Sequence, residues 1–139
     1  MWTRVFSPLE IEVPLRDVEA QLRACGLTAP LQVTGDDLGW KTVRAGDLHI
    51  ERYLLEADNL RSELDTWAAV VEQWDAGIAG QRLMQRLISS RQVVTFTGLP
   101  QDSLIRCARV FADRLAGFYH TDGIGFSEAD GRLIVAEPS

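Results

Sequence analysis

"RQVVTFTGLPQDSLIRCARVFADRLAGF", residues 91–118, is the stretch that decides the predicted fold. Its first eight residues are rich in β-branched side chains and are typical of a strand. Pro100 suits the first turn of a helix, and Asp102 follows where a negative charge favours the helix dipole. Apolar residues then recur at steps of four and three, at Leu104, Ala108, Phe111, Leu115 and Phe118. The stretch therefore predicts a strand followed by an amphipathic helix.

The last part of the chain, residues 122–137, predicts a hairpin. "GIGF" and "RLIVAE" flank "SEADG", in which Gly131 can adopt the positive φ of a tight turn. We expect Ile124 and Phe126 to lie opposite Leu133 and Val135. A calcium loop with its invariant glycine at Gly131 would need Phe126 as its first ligand, and a phenyl ring cannot coordinate a cation. The hairpin is therefore the better interpretation.

The N-terminal part repeats the same order of elements. "LEIEV" (9–13) alternates like a strand, residues 15–25 have helical spacing, and Gly26 provides a helix stop. Strands are predicted at 31–34, 39–44 and 48–55. This order predicts two βαββ-like halves joined by a helical segment. The fold class is α+β: one domain over residues 1–139, with a mixed, largely antiparallel sheet and helices packed on one face.

The helical segment between the halves carries an aromatic stripe. Asp58 or Asn59 is the predicted N-cap. The stripe runs through Leu60, Leu64, Trp67, Val71, Trp74 and Ile78, and a second helix follows from "QRLMQRLISS". Such a stripe must be buried, either in the core or against a partner. Trp67 and Trp74, together with Trp2 near the N-terminus, are therefore the candidate residues of a protein interface.

Composition limits the class of partner. The 139 residues carry a net charge of −6, with 46% apolar residues. This acidic balance disfavours nucleic acids and anionic membranes as partners, because both attract clustered positive charge. No apolar run spans a bilayer and the N-terminus does not look like a secretory signal, so we expect a cytoplasmic protein. Cys25 and Cys107 are expected to be reduced and structural.

Two groups of polar residues are candidates for ligand binding. His49, Glu51 and Tyr53 share one face of a predicted strand. His120 and Asp122 follow the last helix, where a loop could place them in a site. The His-x-Glu spacing of His49 and Glu51 also occurs in zinc deaminases, but their Pro-Cys-x-x-Cys partner is absent. We predict no metal, no cofactor and no assignable catalytic residue, and whether the protein is an enzyme stays open.

Two functional hypotheses remain. In size, acidity and mixed α/β pattern the chain resembles small bacterial chaperones that accompany secreted proteins, although the resemblance covers no motif. It implies an adaptor-like module that binds a protein partner or a second copy of itself. The alternative is a small-molecule-binding protein or enzyme with a pocket between sheet and helices. A docking surface around the tryptophans favours the first, and a cavity that gathers the polar candidates favours the second.

Overall fold

A computed structural model describes all of residues 1–139. The strands are Trp2–Ser7 (β1), Gln32–Asp36 (β2), Gly39–Ala45 (β3), Leu48–Leu54 (β4), Gln92–Thr97 (β5), Phe118–Thr121 (β6), Gly125–Glu128 (β7) and Leu133–Ala136 (β8). The helices are Leu15–Ala24 (α1), Arg61–Trp74 (α2), Ile78–Ile88 (α3) and Gln101–Arg114 (α4). All eight strands form one antiparallel sheet in the order β2-β3-β4-β5-β1-β6-β7-β8. The predicted α+β class is confirmed.

Helices cover both sides of this sheet. On one side, α1 and α4 pack on an apolar layer that includes Val43, Ile50 and Phe96. On the other side, α2 and α3 pack on a second layer that includes Phe6 and Phe126. Helices were predicted on one face of the sheet only. This prediction fits α1 and α4 but not α2 and α3, which lie on the opposite face. The stripe of α2 needs its own apolar layer, and the second side of the sheet provides it.

The two halves have the same element order but different connections within the sheet. Each half runs strand, helix and then three strands, one strand more than the βαββ unit of the prediction. In the first half the last strand, β4, lies next to the central pair β5–β1, whereas in the second half the first of the three strands, β6, does so. A single rotation therefore cannot superpose the halves strand for strand.

The predicted strand at residues 9–13 is wrong, because β1 lies earlier in the chain. Residues 9–13 have no regular secondary structure and belong to no ladder. Side chains from the sheet hold them instead: Arg52 donates to the carbonyl of Glu10 at 2.7 Å, and the Gln92 amide donates to the carbonyls of Leu9 and Ile11 at 3.0 and 2.9 Å. The alternating pattern does not mark a buried face, because Leu9 and Ile11 are exposed and only Val13 enters the core.

Two helix boundaries also differ from the prediction. Helix α4 ends at Arg114, and residues 118–121 are a strand, because Ala116 takes a φ of 53° and interrupts the helix before Gly117. At the start of α2 no side chain caps the helix, and Asn59 has a φ of 55°. The Asp58 carboxylate instead pairs with Lys41 and accepts the backbone N–H of Leu54 at 2.7 Å.

The predicted C-terminal hairpin is confirmed. Phe126 lies opposite Val135, and Gly131 has a φ of 94° in the turn. Ser127, not Ile124, lies opposite Leu133, because a bulge shifts the register between Phe126 and Ser127. The hairpin forms one end of the sheet, and β8 is its edge strand.

Candidate functional site

The strand register brings most of the predicted site residues onto the same side of the sheet as α2 and α3. Glu51 pairs with Thr95, Thr95 with Arg4, and Arg4 with His120, so these side chains form one row across four strands. The next row runs from His49 through Thr97 to Trp2. Because paired residues on neighbouring antiparallel strands point to the same side, both rows face α2 and α3.

Helices α2 and α3 cover only part of this side. The buried strand residues of the apolar layer beneath them come from β1 and β5–β8, and from β2–β4 only the half-buried Tyr53 packs against this layer. The uncovered part is called the open face here; its partly or fully exposed side chains are Thr42, Arg44, His49, Glu51, Tyr53, Thr95 and Thr97. The open face is therefore a polar surface that ends against the tryptophans of β1 and α2.

The first group of polar candidates lies together on the open face. His49 Nδ1 is 3.4 Å from Glu51 Oε1, and the Tyr53 hydroxyl donates to the other oxygen of the same carboxylate. Lys41 lies over the Tyr53 ring, 5.7 Å from its centroid. Glu51 thus bridges two aromatic side chains along one strand, which fixes their orientation at the surface.

The second group does not join the first. His120 lies inside a strand and is only 1% exposed, whereas the sequence analysis placed it in a loop. Asp122 lies in the turn after β6, where its backbone N–H donates to the carbonyl of Trp2 at 3.2 Å. Neither imidazole nitrogen of His120 has a hydrogen-bond partner, so Asp122 does not orient the ring as a catalytic base would require.

His120 is enclosed by aromatic rings. The Trp2 and Trp67 rings each lie 4.7 Å from the imidazole centroid with their planes at 78°, and Phe126 stacks on it at 4.0 Å. Trp74 completes the enclosure at 6.0 Å. Burial in this apolar surrounding and, to a smaller extent, the nearby positive charge of Arg4 together lower the pKa of His120 to about 3. The imidazole is therefore neutral at physiological pH.

The predicted interface tryptophans form one cluster with this histidine. The ring centroid of Trp67 lies 6.4 Å from that of Trp2 and 6.3 Å from that of Trp74, and both pairs are edge-to-face. All three tryptophans keep part of their surface exposed. The cluster therefore belongs to the core on its inner side and to the protein surface on its outer side. Trp2 is the member that borders the open face, with Thr97 between it and His49 in their row.

Arg4 is a central residue that sequence reasoning missed. Its guanidinium lies 4.1 Å from the Trp2 ring centroid and 5.1 Å from that of Trp67, and it donates to Glu63 Oε1 at 3.0 Å. Burial lowers the pKa of Arg4, although the carboxylates of Glu63 and Asp122 oppose this shift. The alternation of Trp2, Arg4 and Phe6 would have identified it, had the first strand been predicted at residues 2–7.

A shallow cleft lies where the open face meets α2. It has a volume of about 380 Å³ and is lined by Trp2, Arg4, Tyr53, Glu63, Val93 and Thr95. Larger surface depressions lie elsewhere, along α4 and at the start of α2. We favour the cleft as the candidate site, in spite of its smaller size, because it combines indole, phenol, guanidinium and carboxylate groups.

Two further properties describe the surface of the chain. No three His, Cys, Asp or Glu side chains lie close enough together to hold a metal ion. None of the four helices has the length and apolar character needed to cross a membrane.

In comparisons with known proteins, no family model, no curated protein and no solved structure matches this chain.

Proposed function

We propose that this protein is an adaptor-like module that binds a protein partner through the open face, including Tyr53, and through the side chains of Trp2 and Arg4 at its border. The observation that carries the proposal is the position of Trp2 and Arg4: they lie half-buried, stacked on each other, at the margin of an uncovered sheet surface. Tryptophan, tyrosine and arginine supply most of the binding energy in protein interfaces.

The shape and charge of this region support a macromolecular partner. The open face spans three strands, β3 to β5, so it is wide and shallow, and such surfaces suit a protein more than a small ligand. Charges of both signs lie on it and at its border, with Arg44 and Glu51 on the open face and Arg4 paired with Glu63 beside it. Mixed charge of this kind supports specific docking.

We place this function in the cytoplasm. Cys25 and Cys107 are both free thiols, and reducing compartments maintain cysteines in that state. Burial and the neighbouring Cys25 raise the pKa of the Cys107 thiol to about 12, which suppresses its reactivity. Both cysteines are therefore assigned a packing role between α1 and α4.

The test is affinity purification of the tagged protein from a lysate of its source cell, with mass spectrometry of the bound proteins. We expect a stoichiometric partner with the wild-type chain and about 30-fold weaker binding to the Trp2→Ala variant, the loss typical of a hot-spot residue. Ile78→Ala is the matched control, because Ile78 is 70% exposed on α3 and lies away from the open face. A partner retained equally by Trp2→Ala, or no partner at all, would contradict the proposal.

The cleft itself favours a second candidate function, the binding of a small molecule. Its volume of about 380 Å³ is within the range of ligand pockets, and Tyr53 and Glu63 would contribute polar contacts. A thermal-shift screen should then find compounds that raise the melting temperature of the wild-type protein and not that of Tyr53→Ala. A screen in which hits stabilise both proteins equally would count against a ligand in the cleft.

A further inference from the structure

The two edges of the sheet differ in the residues that they present. One edge, β2, reads "QVTGD"; all five residues are exposed, and Asp36 and Asp37 end the strand with charge. The other edge, β8, reads "LIVA" and contains no charged residue, proline or glycine. Charged side chains and proline are two means by which proteins protect an edge strand from pairing with another chain, and shortness and bulges are two others. The four residues of β8 include no charged side chain and no proline, so its shortness and its bulge are the protection that it has.

The apolar side chains of β8 are also incompletely covered. Leu133 is 49% exposed and Ala136 is exposed, whereas Val135 is 4% exposed beneath α3. Ile124, at the start of the adjoining strand, is 41% exposed. The edge therefore carries apolar surface beyond the sheet's own core, and burial of that surface by a further strand would be favourable.

The backbone of β8 has hydrogen-bonding groups available at this edge. The carbonyl of Arg132 accepts the N–H of Glu128 at 2.8 Å, and the N–H of Glu137 donates to the carbonyl of Ile124 at 2.9 Å, so both point inward to β7. Counting back from Glu137, the alternation of N–H and C=O directions along a strand turns those of Ala136 and Ile134 to the free edge. Arg132 also points inward because the register shift between Leu133 and Val135 interrupts this alternation. The bulge in the β7–β8 pairing falls at Ile134 and leaves these groups available.

The charges that flank β8 are complementary to each other. Arg132 precedes the strand; its side chain is 74% exposed and makes only a long contact of 3.7 Å with Glu128 Oε2. Glu137 follows the strand and accepts the backbone N–H of Gly123 with Oε2 at 2.8 Å, which leaves Oε1 for a further partner. If two copies of "RLIVAE" pair in antiparallel fashion, Arg132 of one copy reaches the end of the strand where Glu137 of the second copy lies, and this happens twice. A parallel arrangement would place like charges together. The segment is thus self-complementary in one orientation.

From these observations we propose that the protein forms a symmetric homodimer in which the β8 strands of two copies pair antiparallel and join the two sheets into one. A twofold axis perpendicular to the sheet relates the copies, as closed symmetric pairing requires. This axis keeps the two open faces on the same side of the joined sheet, so the dimer presents two partner-binding surfaces in the same direction. The proposal does not depend on the function assigned to the open face.

Charge reversal at the strand ends tests the dimer. Sedimentation equilibrium should show a dimer for the wild-type chain, and Arg132→Glu and Glu137→Arg should each raise the dissociation constant about tenfold or more, because like charges then meet at both ends. The double variant restores both pairs in swapped form, and we expect it to dimerise like the wild-type chain. Ala136→Pro, which removes an outward N–H, should give a monomer whatever the charges.

Controls separate this interface from the rest of the molecule. Trp2 is on β1, which β6 and β7 separate from β8 in the sheet, so Trp2→Ala should leave the dimer intact. Circular dichroism of each variant must show the wild-type fold. A wild-type monomer at all concentrations, or a dimer that persists in Ala136→Pro and in both charge reversals, would overturn the proposal.

Discussion

The free energy of unfolding is expected to fall by about 2–3 kcal/mol between pH 7 and pH 4.5 through His120 alone. In the folded protein the pKa of His120 is lowered to about 3, first by burial among aromatic rings and then by the charge of Arg4, whereas the unfolded chain has the ordinary value of 6.5. Between these two values the unfolded state binds a proton that the folded state does not. Stability is therefore complete above about pH 6.5 and decreases as the pH falls toward 3.

The measurement is chemical denaturation of the wild-type protein and of His120→Phe over this pH range. The difference between their free energies of unfolding should change by about 1.4 kcal/mol per pH unit, because the phenylalanine cannot be protonated. The pKa of Asp58 is lowered by its bonds to Lys41 and Leu54, so Asp58 also contributes acid sensitivity below its unfolded value of 3.8, but equally in both proteins. The difference between the two proteins therefore isolates the histidine.

His49→Gln is the matched control for this prediction. His49 lies on the open face, outside the aromatic cluster, so His49→Gln leaves the enclosure of His120 intact and should keep the loss of stability that His120 causes at acid pH. Parallel pH profiles for the wild-type protein and His120→Phe would show that the aromatic cluster opens to admit a proton at little cost. That result would contradict the enclosed geometry described for His120.

Periodicity predicted the elements whose partners are close in sequence. The hairpins of β3–β4 and β7–β8 and the helices α1 and α4 follow from alternation, turn glycines and four-three spacing, because each of those signals is local. The first strand was missed because "WTRVFS" places Arg4 among apolar neighbours. The structure accommodates this residue by stacking its guanidinium on Trp2 and Trp67, a contact between segments more than sixty residues apart in the sequence.

The candidate site could be predicted residue by residue but not as an arrangement. The three tryptophans Trp2, Trp67 and Trp74 were identified as interface candidates and His120 as a ligand-binding candidate. Only the sheet order β1-β6-β7 shows that they form one cluster. Strand order depends on which distant segments pair, and single-residue patterns carry no signal for that. For the same reason, His120 was expected in a loop and lies enclosed.

The replacement of Arg52 by leucine is expected to lower the free energy of unfolding by about 3–5 kcal/mol. Arg52 is 1% exposed and donates to three backbone carbonyls, those of Leu38 at 2.9 Å, Trp40 at 3.4 Å and Glu10 at 2.7 Å, and to the side chain of Gln92. Leucine would leave all of these acceptors without their donor in a place that water reaches poorly.

The effect should be largest in the segment before α1, since residues 9–13 have no strand partner. In Arg52→Leu we expect their backbone amides to exchange hydrogen faster than in the wild-type protein, while the amides of β5 and β1 stay protected. Arg52→Lys should recover only part of the stability, because an ammonium group cannot reach the same acceptors as the planar guanidinium fork.

Arg44→Leu on the neighbouring strand provides the control for the loss of a positive charge. Arg44 is exposed on the open face, and we expect its replacement to change the free energy of unfolding by no more than about 0.5 kcal/mol. If Arg52→Leu cost as little as Arg44→Leu, the carbonyls of Glu10 and Leu38 would have other donors in solution. The segment at residues 9–13 would then be held by its apolar contacts, such as that of Val13 with the core, and not by Arg52.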